Sequence, residues 1–346
     1  MSKINKLSGI IFLVLMFLVS LPLYAGDDSR IGTAAGVQVL VPVGARDLAM
    51  QGSDIAFTKG VDAIYWNPAG LSNMTNSAAG MFSTVTILSD IKMNYMAVGA
   101  GLGSWGHVGF SIKSFDFGDI PLTTVEDANG ENGRTFSPTF STIALTYANK
   151  LTSSIQVGIS AKMIYESIPR AQGNAVAFDI GIQYQNLAGI EGVSFGVVAS
   201  NIGSSMQYGG TALEAKTQEV NGNGKQEYMR RQASADQLPA SLALGVSYKY
   251  NVMENNDLIV SGVFQSNNTD NDYVKLGAEY MYDNMIALRA GYLLMGNTDA
   301  DAQLYSFTIG AGLKYDVGGT VLGIDYAYRA SQYFDANNMF SLNVAF

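Results

Sequence analysis

The chain has 346 residues, 48% of them hydrophobic and 14% charged, with 38 Gly, 19 Tyr, 16 Phe, 7 Pro and no Cys. That balance is too apolar, and too poor in charge and Pro, for a disordered chain, and the lack of cysteine excludes a disulfide scaffold. A formal charge of −9 argues against a nucleic-acid partner, whose phosphates require a surface of the opposite sign.

Residues 1–25 read as a secretory signal peptide. Lys3 and Lys6 precede an apolar run from Gly9 to Leu23, and Ala25 supplies the small residue before a cut at Gly26. The run falls short of the roughly 20 apolar residues of a spanning helix, which favours cleavage over an uncleaved anchor. No Cys follows the cut, so a lipoprotein is not expected. Loss of Lys3 and Lys6 takes the formal charge from −9 to −11. An exported chain without cysteine must draw its stability from buried area, a metal or membrane insertion.

Residues 26–76 do not read as part of any long strand. Gly44 to Gly52 reads as a short helical turn closed by glycine, Ser53 to Phe57 as a short strand, and Asp62 to Tyr65 as another helical turn. Pro68 forces Asn67 out of the helical region, so the chain turns there. Ile64, Tyr65, Trp66, Ala69 and Leu71 make this stretch apolar enough to need a surface to pack on.

Beyond residue 76 the hydrophobic period is two. Val176, Phe178, Ile180, Ile182 and Tyr184 alternate with Ala177, Asp179, Gly181 and Gln183; Tyr305, Phe307, Ile309, Ala311, Leu313 and Tyr315 alternate with small or polar residues. Fourteen such segments begin near Ser77, Met93, Trp105, Ser137, Ser154, Ala175, Gly192, Pro239, Asn256, Asn271, Met285, Gln303, Gly318 and Ala336. Each has one greasy face and one face of Gly, Ser, Ala and Thr. The connections alternate between short turns and long loops, the long ones being Phe117 to Phe136, Glu166 to Asn174, Ile202 to Leu238 and Met295 to Ala302. Tyrosines on the apolar parity, such as Tyr147, Tyr248, Tyr282 and Tyr315, fall towards strand ends, where an apolar ring with a wet tip suits a membrane interface. These features predict an all-β transmembrane antiparallel barrel of about 14 strands over residues 77–346. A soluble β-sandwich also alternates, but its second face would carry more solvating charge.

Lys275, Glu279, Arg289, Lys314, Asp325 and Arg329 lie on the small-residue parity of strands ten to thirteen. Turning an Arg or Lys to lipid at the midplane costs roughly 2–4 kcal/mol, so these side chains are expected to point into the lumen. An internal salt-bridge network and a polar lining for a passage both fit them; interior charge is usually paired, which favours the network. Two strings are decoys. Gly101 to Gly106 matches a dinucleotide fingerprint but falls between strands, and Gly192 to Gly196 resembles a hydrolase elbow without a later histidine. The single His107 makes no metal cluster, and Asp270, Asp272, Asp299 and Asp301 read as solvated loop charge. No catalytic residue, cofactor or metal site is expected.

The stretch GARDLAMQGSDIAFTKGVDAIYWNPAGL, from Gly44 to Leu71, resembles the N-terminal signature of FadL-like outer-membrane proteins, particularly the PorV/PorQ branch. The resemblance implies a fourteen-stranded barrel in a bacterial outer membrane, delivered by the barrel-assembly machinery, with residues 26–76 folded inside as a hatch. It places the gate at Trp66, Asn67, Pro68, Ala69 and Gly70. Two partners are implied: a hydrophobic small molecule, fatty-acid-like, released through a kink or gap beside the hatch; or, as in PorV-like members of type IX secretion, a secreted protein held by the outer loops. A structural barrel without transport is a third reading.

Overall fold

A computed structural model describes residues 28–88, 90–218, 226–295 and 303–346; the predicted signal peptide lies outside them, as do Asp299 and Asp301. Fourteen antiparallel strands close into one barrel. They are β1 Ala78–Thr86, β2 Lys92–Gly101, β3 His107–Asp116, β4 Thr139–Lys150, β5 Ile155–Ile168, β6 Ala171–Gln185 and β7 Val193–Gly203. The second half comprises β8 Ser241–Met253, β9 Asn256–Asn267, β10 Tyr273–Tyr282, β11 Ile286–Met295, β12 Tyr305–Val317, β13 Thr320–Ser331 and β14 Asn337–Ala345. The alternation that predicts the strands is the alternation between outer wall and lumen: Ile180 is 50% exposed, whereas its neighbour Asp179 is 0% exposed. β1 pairs with β14, and Phe346 N donates to Ala78 O beyond the end of that ladder, so no strand edge is left free.

One rim carries the tight turns and the other the long loops. On the long-loop rim, Ile120–Pro121 pairs with Thr135–Phe136, Met206–Gln207 with Ala235–Asp236, and Glu214–Gln218 with Gln226–Arg230. Glu166 to Asn174 is not a long loop. The β5–β6 ladder runs on to Ile168 opposite Ala171, leaving Arg170 at φ 70 to close a tight hairpin. The 204–213 segment supports this extension, through Gln172 N to Gly209 O at 2.9 Å and the Arg170 guanidinium on Thr211 O at 3.0 Å.

Residues before β1 fill the barrel. α1 Ala45–Ala49 and α2 Ala63–Trp66 are joined to 3₁₀ turns at Val37–Leu40, Gly60–Asp62 and Pro68–Asn73. Val43, Leu48, Ile64 and Leu71 are buried against Met81, Met93, Tyr95 and Met339 of the wall. Ser53 to Phe57 is a turn rather than a strand: Asp54 O accepts from Phe57 N at 2.7 Å and Thr58 N at 2.8 Å. No strand edge is available to it inside a closed ladder, and Ile55 O is taken by the side chains of Asn67 and Gln183. At the seam, Ser83 of β1 and Ser341 of β14 are cross-strand partners, and their hydroxyls accept from the Gly44 and Ala45 amides at 3.3 and 2.8 Å.

The inward glycines form a belt that seats this hatch. A Cβ on Gly158 would collide with Pro68 and Ala69 backbone, one on Gly181 with Asn67 Oδ1, and one on Gly196 with Ala56 backbone. On the far side, Gly277 and Gly291 close on Met50 in the same way. Gly158 faces Gly181, Gly196 faces Gly245, and Gly277 faces Gly291 across their ladders, so the belt is built from paired strands. The small-residue face of the sequence is therefore the imprint of the hatch backbone on the wall.

Candidate functional site

The Trp-Asn-Pro turn is bonded both to other segments of the hatch and to the barrel wall. Asn67 adopts φ −156, ψ 103, the extended conformation that Pro68 imposes, and its Oδ1 accepts from Ala69 N at 3.2 Å to cap the following 3₁₀ turn. Asn67 Nδ2 donates to Ile55 O at 2.8 Å and to Ile182 O of β6 at 3.2 Å, joining two hatch segments to the wall. Trp66 Nε1 donates to Val43 O at 3.0 Å, and its ring lies over Gly52, whose φ of 65 ends the turn after α1. Asn67→Ala uncaps the Ala69 amide and removes one of the two side-chain donors to Ile55 O and the side-chain donor to Ile182 O. We expect a loss of about 1–3 kcal/mol from the apparent unfolding free energy in urea, with hatch residues becoming protease-sensitive first.

The hatch divides the lumen into two chambers. Towards the long-loop rim lies a cavity of about 430 Å³, within the range of small-molecule sites. Its hatch side presents Leu40, Pro42, Leu48, Ile55, Tyr65 and Trp66, and its wall includes Val198, Val263, Leu293 and Met295. Three cations and the Asp270 carboxylate line it; Lys162 is paired with Asp179, and the other two are Lys275 and Arg329. Lys275 Nζ donates to Gln265 Oε1 at 2.7 Å; Arg329 bonds Asn337 Oδ1 at 2.6 and 3.1 Å and stacks 3.7 Å above the Tyr305 ring. Among the described residues neither makes an ion pair.

Towards the tight-turn rim lies a second cavity, about 360 Å³, of different character. Arg289 Nε pairs with Glu279 Oε2 at 2.5 Å and its Nη1 with Asp325 Oδ1 at 2.6 Å, while Asn343 Nδ2 donates to Asp325 Oδ2 at 3.1 Å. Arg46 of α1 joins the same network through Nε to Glu279 Oε2 at 3.2 Å. Lys59, Lys249 and Lys314 also line this chamber. The first chamber has an apolar hatch face with a few charged side chains on its wall, whereas charged side chains dominate the second.

The sequence matches no protein-family model and no curated protein. Solved structures do match it. The CymD monoaromatic hydrocarbon channel is 14% identical with a TM-score of 0.55, over 89% of this chain and 98% of that one. The P. putida toluene transporter TodX is 14% identical with a TM-score of 0.54, over 88% and 98%. A Pseudomonas aeruginosa FadL homologue is 10% identical with a TM-score of 0.52, also over 88% and 98%. The fold is a FadL-like barrel.

In this FadL-like barrel the six charges expected in the lumen separate. Lys275 and Arg329 line the apolar chamber, whereas Glu279, Arg289, Lys314 and Asp325 line the charged one, with Lys314 at its exposed mouth. Trp66 lines the first chamber, and Asn67 to Gly70 are buried against β5 and β6. Tyr305 does not join the outer girdle. A bulge between Tyr305 and Thr308 shifts the parity of β12 and turns the ring inward under Arg329. The ladder of β2, β3 and β4 beside the hatch is continuous, and the wall carries a second bulge at Asn201 of β7, φ 57. There Lys162 pairs with Asp179 at 2.5 Å and donates to Asn201 Oδ1 at 2.8 Å.

Sequence reasoning missed that cluster and also Lys113, whose buried Nζ donates to the hatch carbonyls Val39 O and Val41 O at 3.2 and 2.9 Å. Its parity between Ser111 and Phe115 carries the same inward signal as the charges of the later strands. On the loops, Asp270 accepts from the Tyr273 hydroxyl and Asp272 from Asn267 N, so both carboxylates serve intrachain bonds.

Proposed function

We propose that the protein resides in a bacterial outer membrane, long loops outward, and binds and passes hydrophobic small molecules bearing an anionic group, fatty-acid-like in character. The hatch around Trp66 to Gly70 is the gate. One observation carries this reading: a chamber with an apolar hatch face contains two cations, Lys275 and Arg329, that make no ion pair among the described residues, while its Asp270 carboxylate is engaged by the Tyr273 hydroxyl. A carboxylate head would take both while its tail lies against Leu48, Ile55 and Trp66. The fold shared with a hydrocarbon channel and a toluene transporter supports passage of apolar molecules rather than an enzymatic role. The secretion role attached to the PorV/PorQ resemblance draws no support from these neighbours.

The test is binding and uptake in proteoliposomes of a labelled long-chain carboxylate beside the hydrocarbon of equal length. The double substitution Lys275→Gln and Arg329→Gln should weaken carboxylate binding about tenfold or more, since a hydrogen bond to a charged group contributes about 1.5–3 kcal/mol, and leave hydrocarbon binding unchanged. Equal weakening of both, or no uptake of either by the parent protein, overturns the reading.

A further inference from the structure

The gate described so far makes no use of the buried acids of the hatch. Asp47, on α1, and Asp54, in the turn after it, are both 0% exposed. Arg46 Nη1 pairs with Asp47 Oδ1 at 3.0 Å and with Asp54 Oδ2 at 2.8 Å, so one guanidinium nitrogen draws two carboxyls together. Their other oxygens, Asp47 Oδ2 and Asp54 Oδ1, are buried without a donor, so the two carboxyls are neighbours on one guanidinium nitrogen with nothing else to neutralise them. Two ionised carboxylates in contact, away from water, repel strongly; one proton between them converts the contact into a hydrogen bond.

The surroundings do not supply enough positive charge to avoid this. From β10, Glu279 competes for Arg46; from β11, Arg289 is shared by Glu279 and Asp325 of β13. Asp62 faces the group across Gly44, its Oδ1 also buried without a donor. Lys59 comes from the hatch, with Lys249 of β8 and Lys314 of β12 lining the charged chamber beyond; Lys249 is paired with Asp257 at 2.7 Å. The Tyr95 phenol approaches from β2, and the seam offers only the hydroxyls of Ser83 and Ser341, which accept from the amides of Gly44 and Ala45. Burial, and next the charge of Asp54, push the Asp47 carboxyl well above the ordinary range against the pull of Arg46. Burial likewise pushes Asp62 up to about 7.

We propose that Asp47, held beside Asp54 on one guanidinium nitrogen, carries a proton in the seated hatch, and that losing this proton loosens the hatch, coupling the gate to proton concentration. Loss of the proton leaves two carboxylates on one guanidinium nitrogen, and their repulsion is relieved only by drawing α1 away from the turn at Asp54. The sign follows from linkage. The seated hatch binds a proton that a free aspartate, with a pKa of about 3.9, has released, so seating is fully supported below about pH 4 and weakens as pH rises through the raised value. This coupling does not depend on what passes the gate.

The experiment is hydrogen exchange of hatch peptides in the full chain, read by mass spectrometry in detergent between about pH 5 and about pH 9 and corrected for the intrinsic pH dependence of exchange. Protection over residues 44–58 should fall about tenfold or more as pH rises, a shift of about 1.4 kcal/mol in opening free energy. In Asp54→Asn, combined with Asp62→Asn so that the other raised carboxyl of the hatch no longer titrates, the amide donates permanently to Asp47 and protection should become independent of pH, whereas Asp62→Asn alone should keep the dependence; Asp47→Asn in the same background serves if that variant does not give the heat-resistant gel mobility of a folded barrel. Infrared spectra of Asp62→Asn near neutral pH should show a protonated carboxyl band that adding either variant removes. Protection independent of pH in the parent, an unchanged pH profile in the variants, or absence of that band overturns the proposal.

Discussion

Leucine in place of Gly158 and Gly181 should unseat the hatch turn while leaving the barrel wall closed. These glycines are cross-strand partners on β5 and β6, and the Pro68-Ala69 backbone and the Asn67 side chain lie where their Cβ atoms would stand. Overpacking a core costs typically about 1–3 kcal/mol where side chains can shift. Here the obstacle includes backbone pinned by Asn67 to Ile55 O and Ile182 O, so each substitution should sit at or above the top of that range. The ladder hydrogen bonds of β5 and β6 do not involve the side chains and survive. Single-channel conductance and solute release from liposomes should rise, and the thermal transition should move down. Gly80→Ala, whose Cβ would meet nothing nearer than 3.8 Å, should change neither. Unchanged conductance in the leucine variants would mean that the turn does not obstruct the path.

The second large effect is expected at Arg289. Its guanidinium, 3% exposed, bridges Glu279 and Asp325, and Arg289→Met would leave Asp325 with Asn343 as its hydrogen-bond donor and Glu279 with Arg46 alone. Breaking a buried ion pair from one side costs about 3–5 kcal/mol, because the residual charge stays in place without its partner. The urea midpoint for unfolding from bilayers should fall accordingly. The triple variant Arg289→Met, Glu279→Gln, Asp325→Asn should recover most of that loss, because no uncompensated charge remains. A single variant as stable as its parent would show that water already screens this chamber.

The barrel was legible because its two solvents are chemically opposite. A residue facing acyl chains and a residue facing the hatch cannot be exchanged, so Ile180 and Asp179, or Phe340 and Ser341, announce the wall and its inner face at every step. The same rule reached Glu279, Arg289 and Asp325, and would have reached Lys113, Lys162 and Asp179 had it been applied to the earlier strands. It misplaced Tyr305, since a bulge adds one residue to β12 and inverts everything before it without changing composition. The hatch was less legible. Its turns obey Pro68 and the glycines, but Ser53 to Phe57, apolar enough for a strand, lacks a pairing edge, and a sequence does not show which edges are already occupied. That the glycines of the inner face mirror Pro68, Ala56 and Met50 likewise follows only from the tertiary fold.

Ser83 and Ser341 give the seam a meaning for assembly. They stand opposite each other on the first and last strands, and each takes one of two successive amides at the start of α1. The last strand of the barrel thus docks beside a helix end that precedes its first strand, so zipping the cylinder shut and locking its stopper are one event. A nascent open sheet would have to wait, with that helix end already in position, for the last hairpin to arrive.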